Sequence, residues 1–491
     1  MIAKLWASLF SSKSQSAYMS SQSSGLQNSL IARNEEIFSM KLEEVYSYID
    51  TNRQKSVNDL IRLVKQPSVS ARSEGIVECA EILEKMMTEI GLSTRMIPEA
   101  QGNPIVYGEI KSRSSRKTLL FYNHYDVQPP EPLEEWTCDP YSGEIRDGKI
   151  YGRGVSDNKG NTVSRLKAVQ AFLETVEDVP VNIKFVVEGE EEIGSPHLAP
   201  VIKKHKDLFS ADAAIWEFGG TDRKGHPTIH LGLKGVLSVE LRAKGAKRDV
   251  HSANAPLIPN PAWRLVWALN CLKSEKDQIL IPGFYDDVEP PSVEELKCVE
   301  KIPFEEEEEK KDLGLTEFLH NVSGLEALKA LLYHPTCTIN GFLTGYTGSG
   351  SKTVLPNKSM AKLDFRLVPH QMPKDILKKL KKHLKSHGFS DIEVVCHGST
   401  EPVKTPLGDS FVQTVIKTAE KVYDRPAVVY PTSAGSGPMH LFRNWLGYPV
   451  VSVGCAHAES RGHAPNENLT VEGFIKGTKF IAAILNDFSA F

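Results

Sequence analysis

Apolar residues recur at helical spacing over Leu42, Val45 and Ile49, then over Val57, Leu60, Ile61 and Val64, and the pattern stops at Pro67. The same spacing returns over residues 76–90 and ends at Gly91, which predicts another helix. Short apolar runs then alternate with helical stretches, at residues 118–122, 183–187, 213–216 and, much later, 449–453. Runs of this length, bounded by turns and mixed with helices, predict buried strands of an α/β sheet. Residues 160–176 predict the helix that follows the Gly152–Arg153–Gly154 turn.

Residues 229–398 read differently. The segments 235–243 and 362–368 predict strands, and 373–387 predicts a Lys-rich helix with Ile376, Leu377, Leu380 and Leu384 on one face. Strands and helices segregated in this way predict a separate α+β unit, and the sheet-like runs resume after it. A chain of 491 residues exceeds what one hydrophobic core usually supports. The expected organisation is an α/β domain over residues 41–228 and 399–491, interrupted by a smaller α+β domain over 229–398.

Composition changes this picture little. With 40% hydrophobic and 24% charged residues and a net charge of −4, the chain lacks the basic excess of a nucleic-acid binder. No stretch approaches the ~18 uninterrupted apolar residues of a spanning helix, so neither nucleic acid nor membrane is an expected partner. The Glu305–Glu309 run is followed at once by Lys310, Lys311 and Asp312, the pattern of a solvated loop or helix end. Seven cysteines form no close pair and cannot all be joined within one chain. They point to free thiols in a reducing, cytoplasmic setting, and against a disulfide framework or a thiolate metal site. The first 34 residues contain no Asp or Glu, carry Lys4, Lys13 and Arg33, and are rich in Ser. That composition fits a mitochondrial presequence as well as a disordered tail, so residues 1–40 are set aside from the fold.

The chemistry concentrates in five segments: Asn123–His124–Tyr125–Asp126, Gly152 to Gly160 with Asp157 at its centre, Glu188 to Ser195, Ile215–Trp216–Glu217, and His463–Ala464–Pro465–Asn466–Glu467. Each follows a predicted strand or sits in a tight turn. Ligands bind an α/β sheet at the loops beyond the carboxyl ends of its strands. Carboxylates and imidazoles converging there without thiolates suit a hydrolytic zinc, manganese or cobalt site.

The run Asn-His-Tyr-Asp-Val-Gln-Pro, the run Tyr-Gly-Arg-Gly-Val-Ser-Asp-Asn-Lys-Gly and the run Glu-Gly-Glu-Glu-Glu-Ile-Gly-Ser carry a family resemblance. Taken together and in this order over roughly residues 45–485, they resemble the dinuclear-zinc metallopeptidase family of carnosine dipeptidase, cytosolic non-specific dipeptidase, aminoacylase, acetylornithine deacetylase and succinyl-diaminopimelate desuccinylase. The resemblance implies a catalytic domain with a mixed sheet and helices on both faces, and makes the inserted unit a lid and dimerisation domain. It implies two divalent ions per chain, zinc first, with manganese or cobalt as substitutes. Asp157 resembles the bridging carboxylate, His124 and Glu217 complete one site, and Glu192 and His463 the other. Asp126 is expected to hydrogen-bond the second ring nitrogen of His124, and Glu191 resembles the general base.

In the insert, His251 resembles the lid histidine that stabilises the oxyanion, often from the partner subunit, so a homodimer is expected. Thr353 and Arg366 resemble lid residues that hold substrate, and Ser436 a substrate-contact serine. An arginine can fork onto a terminal carboxylate with two parallel hydrogen bonds. Glu190 is expected at the surface, His440 in a helix or core, and Cys455 as packing; His457 lacks the Pro–Asn–Glu context of His463.

Two departures matter. Carnosine-type dipeptidases usually carry Asp where this chain has Glu217, and the turn from Thr432 to Pro438 lacks their Arg–Glu pair. The leading expectation is a metallodipeptidase or related exopeptidase acting on small peptides. The alternative is a deacylase of N-acyl amino acids with the same metals and base. A non-catalytic scaffold is disfavoured because every ligand and the base are present.

Overall fold

The computed structural model describes residues 42–97 and 102–490, so the expected tail over residues 1–40 lies outside the described residues. Two helices, residues 42–51 and α1 (Arg53–Val64), precede α2 (Ile76–Glu89). The chain then builds β1 (Ser93–Ile97), β2 (Ile105–Ile110), β3 (Thr118–His124), the long helix α3 (Lys159–Val176), β4 (Asn182–Glu188), β5 (Ala213–Trp216) and β6 (Thr228–His230). It leaves this domain to form the lid and returns with α6 (Ser410–Tyr423), β11 (Val428–Tyr430), β12 (Val450–Ser452) and α7 (Val471–Ser489).

These strands make one mixed eight-stranded sheet in the order β1-β2-β4-β3-β5-β12-β6-β11. Its centre is parallel, with β3 between β4 and β5 and β12 beside β5. Side chains alternate between the faces of a strand, and β3 shows the result. Leu119 and Phe121 join a core with α1, α2, α3, α6 and α7, while Leu120 and Tyr122 face a second core with Phe209 and Phe442. A strand buried on both faces must be apolar throughout, which is why residues 118–122 read as a continuous run.

The lid is built on a four-stranded antiparallel sheet of β7 (Gly235–Lys244), β8 (Thr336–Thr344), β9 (Lys358–Leu367) and β10 (Glu393–Thr400), in the order β8-β9-β7-β10. Helices α4 (Pro261–Asn270) and α5 (Pro373–Ser386) pack on it through Leu265, Ala268, Ile376, Leu380 and Leu384. Leu233 pairs with Val403 where the chain passes between the two domains.

Two boundaries differ from the expected ones. The cut at 228/229 would split β6, whose three residues all pair with the main sheet, and the last lid strand runs to Thr400 rather than 398. Strand pairing sets both limits, and apolar patterning alone does not register it. The insert is also less separate than its composition implies. Val299, Ile302, Leu328, Leu332 and Tyr333 form a small core with Val428, so this helical part of the insert covers the main sheet's edge strand β11. The Glu-rich run forms an exposed helix, Glu306–Leu313, as expected of a solvated segment.

Candidate metal centre and cleft

Strands β4, β3 and β5 lie side by side and parallel, so their carboxyl ends open on one edge. His124 is the last residue of β3, Glu217 follows β5, and the turn carrying Glu191 and Glu192 follows β4. Asp157 precedes α3, and His463 lies in the loop before the short strand Asn468–Thr470. The fold therefore delivers five separated segments to one place. The backbone approaches closely beside Glu217: a Cβ on Gly219 (φ +137°) would meet Val453 Cα at 2.6 Å.

Asp157 stands between the two histidines. Its Oδ1 lies 3.0 Å from His124 Nε2 and its Oδ2 3.1 Å from His463 Nε2. His463 Nε2 is also 3.1 Å from Glu192 Oε2, and His124 Nε2 is 3.6 Å from Glu217 Oε2. Ligand atoms of His124, Glu191 and Glu217 fall within 4.8 Å of one another, as do those of His124, Asp157 and Glu192.

The electrostatics are those of a cation site. Four carboxylates crowd together, and among the described residues their ion-pair partners are only the two histidines. Burial, reinforced by the Glu192, Asp157 and Asp126 charges against the opposing pull of His124, pushes the Glu191 carboxyl up to about 7. Burial and the Glu191 charge push Glu217 well above the carboxylate range. Asp157 goes the other way: although burial opposes it, hydrogen bonds to His124 and His463 hold its pKa low. His463, held by Asp157 and Glu192, is pushed up to about 10. Among the described residues, buried Glu192 Oε1 and Glu217 Oε2 have no hydrogen-bond partner, a costly state that divalent ions would relieve. Oxygen and imidazole donors without sulfur complete the fit to a hydrolytic centre.

His124 Nδ1 lies 3.0 Å from the Asp126 backbone oxygen and 3.4 Å from its carboxylate. The carboxylate also accepts from the backbone N–H groups of Glu191 (3.2 Å) and Glu192 (3.0 Å), which converge on it at the start of their turn. Glu190 is buried, not exposed: it accepts from Asn103 N at 3.1 Å and pairs with His197 at 2.8 Å. His440 and Cys455 are buried, and His457 hydrogen-bonds Asn468.

Three supporting residues escaped the motif reading. Glu467 ion-pairs with buried Arg153 at 2.7 Å and accepts from the backbone N–H groups of Gly154, Ser156 and Asp157. Both residues stood inside the segments singled out above. Arg165, on α3, donates to the carbonyls of Tyr122, Trp216, Glu217 and Val453, gathering the ends of three central strands beneath the cluster. Nothing in its sequence surroundings marks it.

The lid residues fall into two groups. Arg366 Nη1 donates to Ser436 Oγ at 2.8 Å, so the lid touches the late glycine turn. The next residue, Gly437, lies against the cluster: a Cβ there would be 3.8 Å from Glu191 Oε1. His251 and Thr353 are exposed and lie near one another, with His251 Nε2 3.5 Å from Thr353 Oγ1. Among the described residues, no hydrogen bond or ion pair joins either of them to the metal-centre side chains.

A mixed α/β sheet with acidic and histidine side chains of metal-binding character gathered at one edge, carrying an inserted lid, defines a metal-dependent hydrolase. The chain belongs to the Peptidase family M20/M25/M40, whose model matches residues 120–487. It is thus an enzyme, a metallopeptidase. Among solved structures it is similar to an M20-family metallo-carboxypeptidase of Sulfolobus solfataricus, with 42% identity, 89% of this chain and 99% of that chain covered, and a TM-score of 0.84. It is 28% identical to the human Beta-Ala-His dipeptidase over 90% of this chain and 92% of that protein. The Cys-Gly metallodipeptidase dug1 of Schizosaccharomyces pombe is 29% identical over 92% of this chain and 99% of the relative.

Proposed function

We propose that this enzyme hydrolyses the amide bond of dipeptides and other short peptides with a free carboxyl terminus, using two divalent ions, zinc first. The ions would be held by His124, Asp157 and Glu217 on one side and Asp157, Glu192 and His463 on the other. When bound, two such ions polarise the scissile carbonyl and lower the pKa of water.

The protein's own groups do the rest. Glu191 accepts the proton of the attacking water at its carboxylate and returns it to the leaving amine. Asp126 holds the turn that aims Glu191 by accepting its backbone N–H. The Arg366–Ser436 pair carries the substrate reading: it sets a half-exposed guanidinium one residue away from Gly437 and hence from the base. A carboxylate anchor so close to the reacting bond favours short substrates ending in a free acid. The metallodipeptidase and metallo-carboxypeptidase relatives support the same class.

Among the described residues, His251 has no partner among the metal-centre groups of its own chain, which supports a homodimer in which each lid serves the neighbouring site. The lid offers a face for it. Trp263 and Trp267 on α4 are 57% and 55% exposed and stacked at 6.0 Å, and Ile339, Phe342 and Leu343 are exposed on the edge strand β8. Exposed apolar patches of this kind mark association surfaces.

The test is a substrate panel run with added zinc or manganese: free dipeptides, amidated dipeptides, and N-acetyl and N-succinyl amino acids. Turnover of free dipeptides well above the acylated amino acids is the expected result. The reverse order would make the enzyme a deacylase.

A further inference from the structure

The lid holds a second cluster of metal-ligating side chains, remote in sequence from the five segments above. Cys271 is the residue at which α4 ends, and His383 and His387 lie one turn apart at the C-terminal end of α5. One ligand atom from each of the three falls within 4.8 Å of the others. Spacing of i, i+4 puts both rings on one helix face, with centroids 4.1 Å apart. Arg264, in the first half of α4, ties that helix to the segment after α5 by pairing with Asp391 at 2.5 Å and donating to the Gly388 carbonyl.

The hydrogen bonds of the two rings fix their tautomers. A carbonyl oxygen can only accept, so a ring nitrogen facing one must carry the proton. His383 Nε2 lies 2.7 Å from the Cys271 carbonyl, and His387 Nδ1 lies 2.9 Å from the His383 carbonyl. The lone pairs of the neutral rings are therefore on His383 Nδ1 and His387 Nε2. His383 is only 3% exposed, and its buried Nδ1 has no hydrogen-bond partner among the described residues. The Cys271 thiol donates to the Ala268 carbonyl at 3.0 Å within its own helix end. Two imidazoles presented by backbone carbonyls, beside a thiol, are what metal sites use to orient their ligands.

We propose that Cys271, His383 and His387 form a mononuclear zinc site in the lid. A thiolate with two imidazoles is a zinc-type donor set, and the exposed His387 leaves a fourth position open to water. In a tetrahedral shell with bonds of about 2.0–2.3 Å the ligand atoms stand roughly 3.5 Å apart, so side-chain rotation must draw the cluster together. Binding replaces the thiol proton: Cys271 ligates as thiolate, both rings stay neutral, and one proton leaves to solvent. The ion staples α4 to α5. The dinuclear centre has no sulfur ligand, so the two sites are spectroscopically separable.

The experiment is a cobalt(II) titration of the metal-stripped full chain under reducing conditions. Thiolate ligation of cobalt adds an intense near-ultraviolet charge-transfer band that oxygen and nitrogen ligands do not produce. The expected result is such a band in the wild type and in Asp157→Ala, its loss in Cys271→Ser, and cobalt affinity at this site at least ~10-fold weaker in His387→Gln. His387 is exposed, so that variant does not threaten the fold. No charge-transfer band in the wild type would overturn the proposal. A band of equal strength in Cys271→Ser would also overturn it, because another thiol, such as the exposed Cys396, would then be the ligand.

Discussion

The carboxylate of Glu467 accepts a hydrogen bond from the backbone N–H of Asp157 at 3.0 Å. Glu467 lies just beyond His463, so this bond ties together the two loops that face each other across the cluster. Its other oxygen meets buried Arg153 at 2.7 Å. Removing one partner of a buried pair strands the other charge, at a cost of about 3–5 kcal/mol. Glu467→Ala should lower the urea midpoint accordingly and weaken metal binding by ~10–100-fold. An unchanged midpoint with unchanged metal content would show that the Asp157 turn holds itself.

Asp157 has one oxygen toward each histidine, which places it to be shared by both ions. Asp157→Ala should lose both from the dinuclear centre. Elemental analysis, read beside the cobalt band of the lid, checks this; retention of two ions at the centre would remove Asp157 from its bridging place.

Glu191→Gln preserves size and the backbone bond to Asp126 but cannot take a proton. Metal content should persist while turnover falls by at least ~10²-fold. Near-normal turnover in a fully metallated variant would mean that another group is the base.

Arg366 and Ser436 face the substrate's free end in this reading. Arg366→Ala should cut kcat/KM for free dipeptides by ~10–100-fold, the value of a charge-assisted hydrogen bond of about 1.5–3 kcal/mol. Amidated dipeptides should change far less. Equal losses on both would make Arg366 a support for the turn and not a carboxylate anchor.

The lid histidine can be tested by mixing two inactive chains, His251→Ala and Glu191→Gln. If His251 acts on the neighbouring subunit, a mixed dimer contains one intact site and one doubly defective site. Activity should then recover towards a quarter of wild type under random exchange, against a loss of ~10²–10³-fold in each parent. No recovery after verified exchange would assign each lid to its own chain.

How far such features show in a sequence depends on whether the physics is local. The strand ends were legible because β3, β4, β5 and β12 are apolar on both faces and stop at polar residues. His463 was legible beside His457 through the Pro–Asn–Glu that follows it. Arg165 was not: a lone arginine in a helix reads as solvated, and its burial follows from strand carbonyls contributed by distant segments. Glu190 reads as an exposed acid, yet Asn103 and His197 partner it in a buried position. Cys271 and His383 are 112 residues apart, so no spacing rule pairs them, and the cysteine pattern alone argued against any thiolate site. The helices around Val299 and Leu332 belong to the insert by sequence but lie on the main sheet, because β11 needs a cover.

Strand β12 enters the sheet between β5 and β6, and the last ligand follows it in the chain. A ribosome makes these parts in the opposite order from the one the sheet needs: β5 and β6 emerge long before the strand that separates them. Until residues 450–463 are translated, the nascent polypeptide has a split sheet and an incomplete ligand set, whatever the lid has already done. A chain cut short ahead of that segment lacks both β12 and His463. Under the ligand assignment proposed above, hydrolytic capacity waits on that segment.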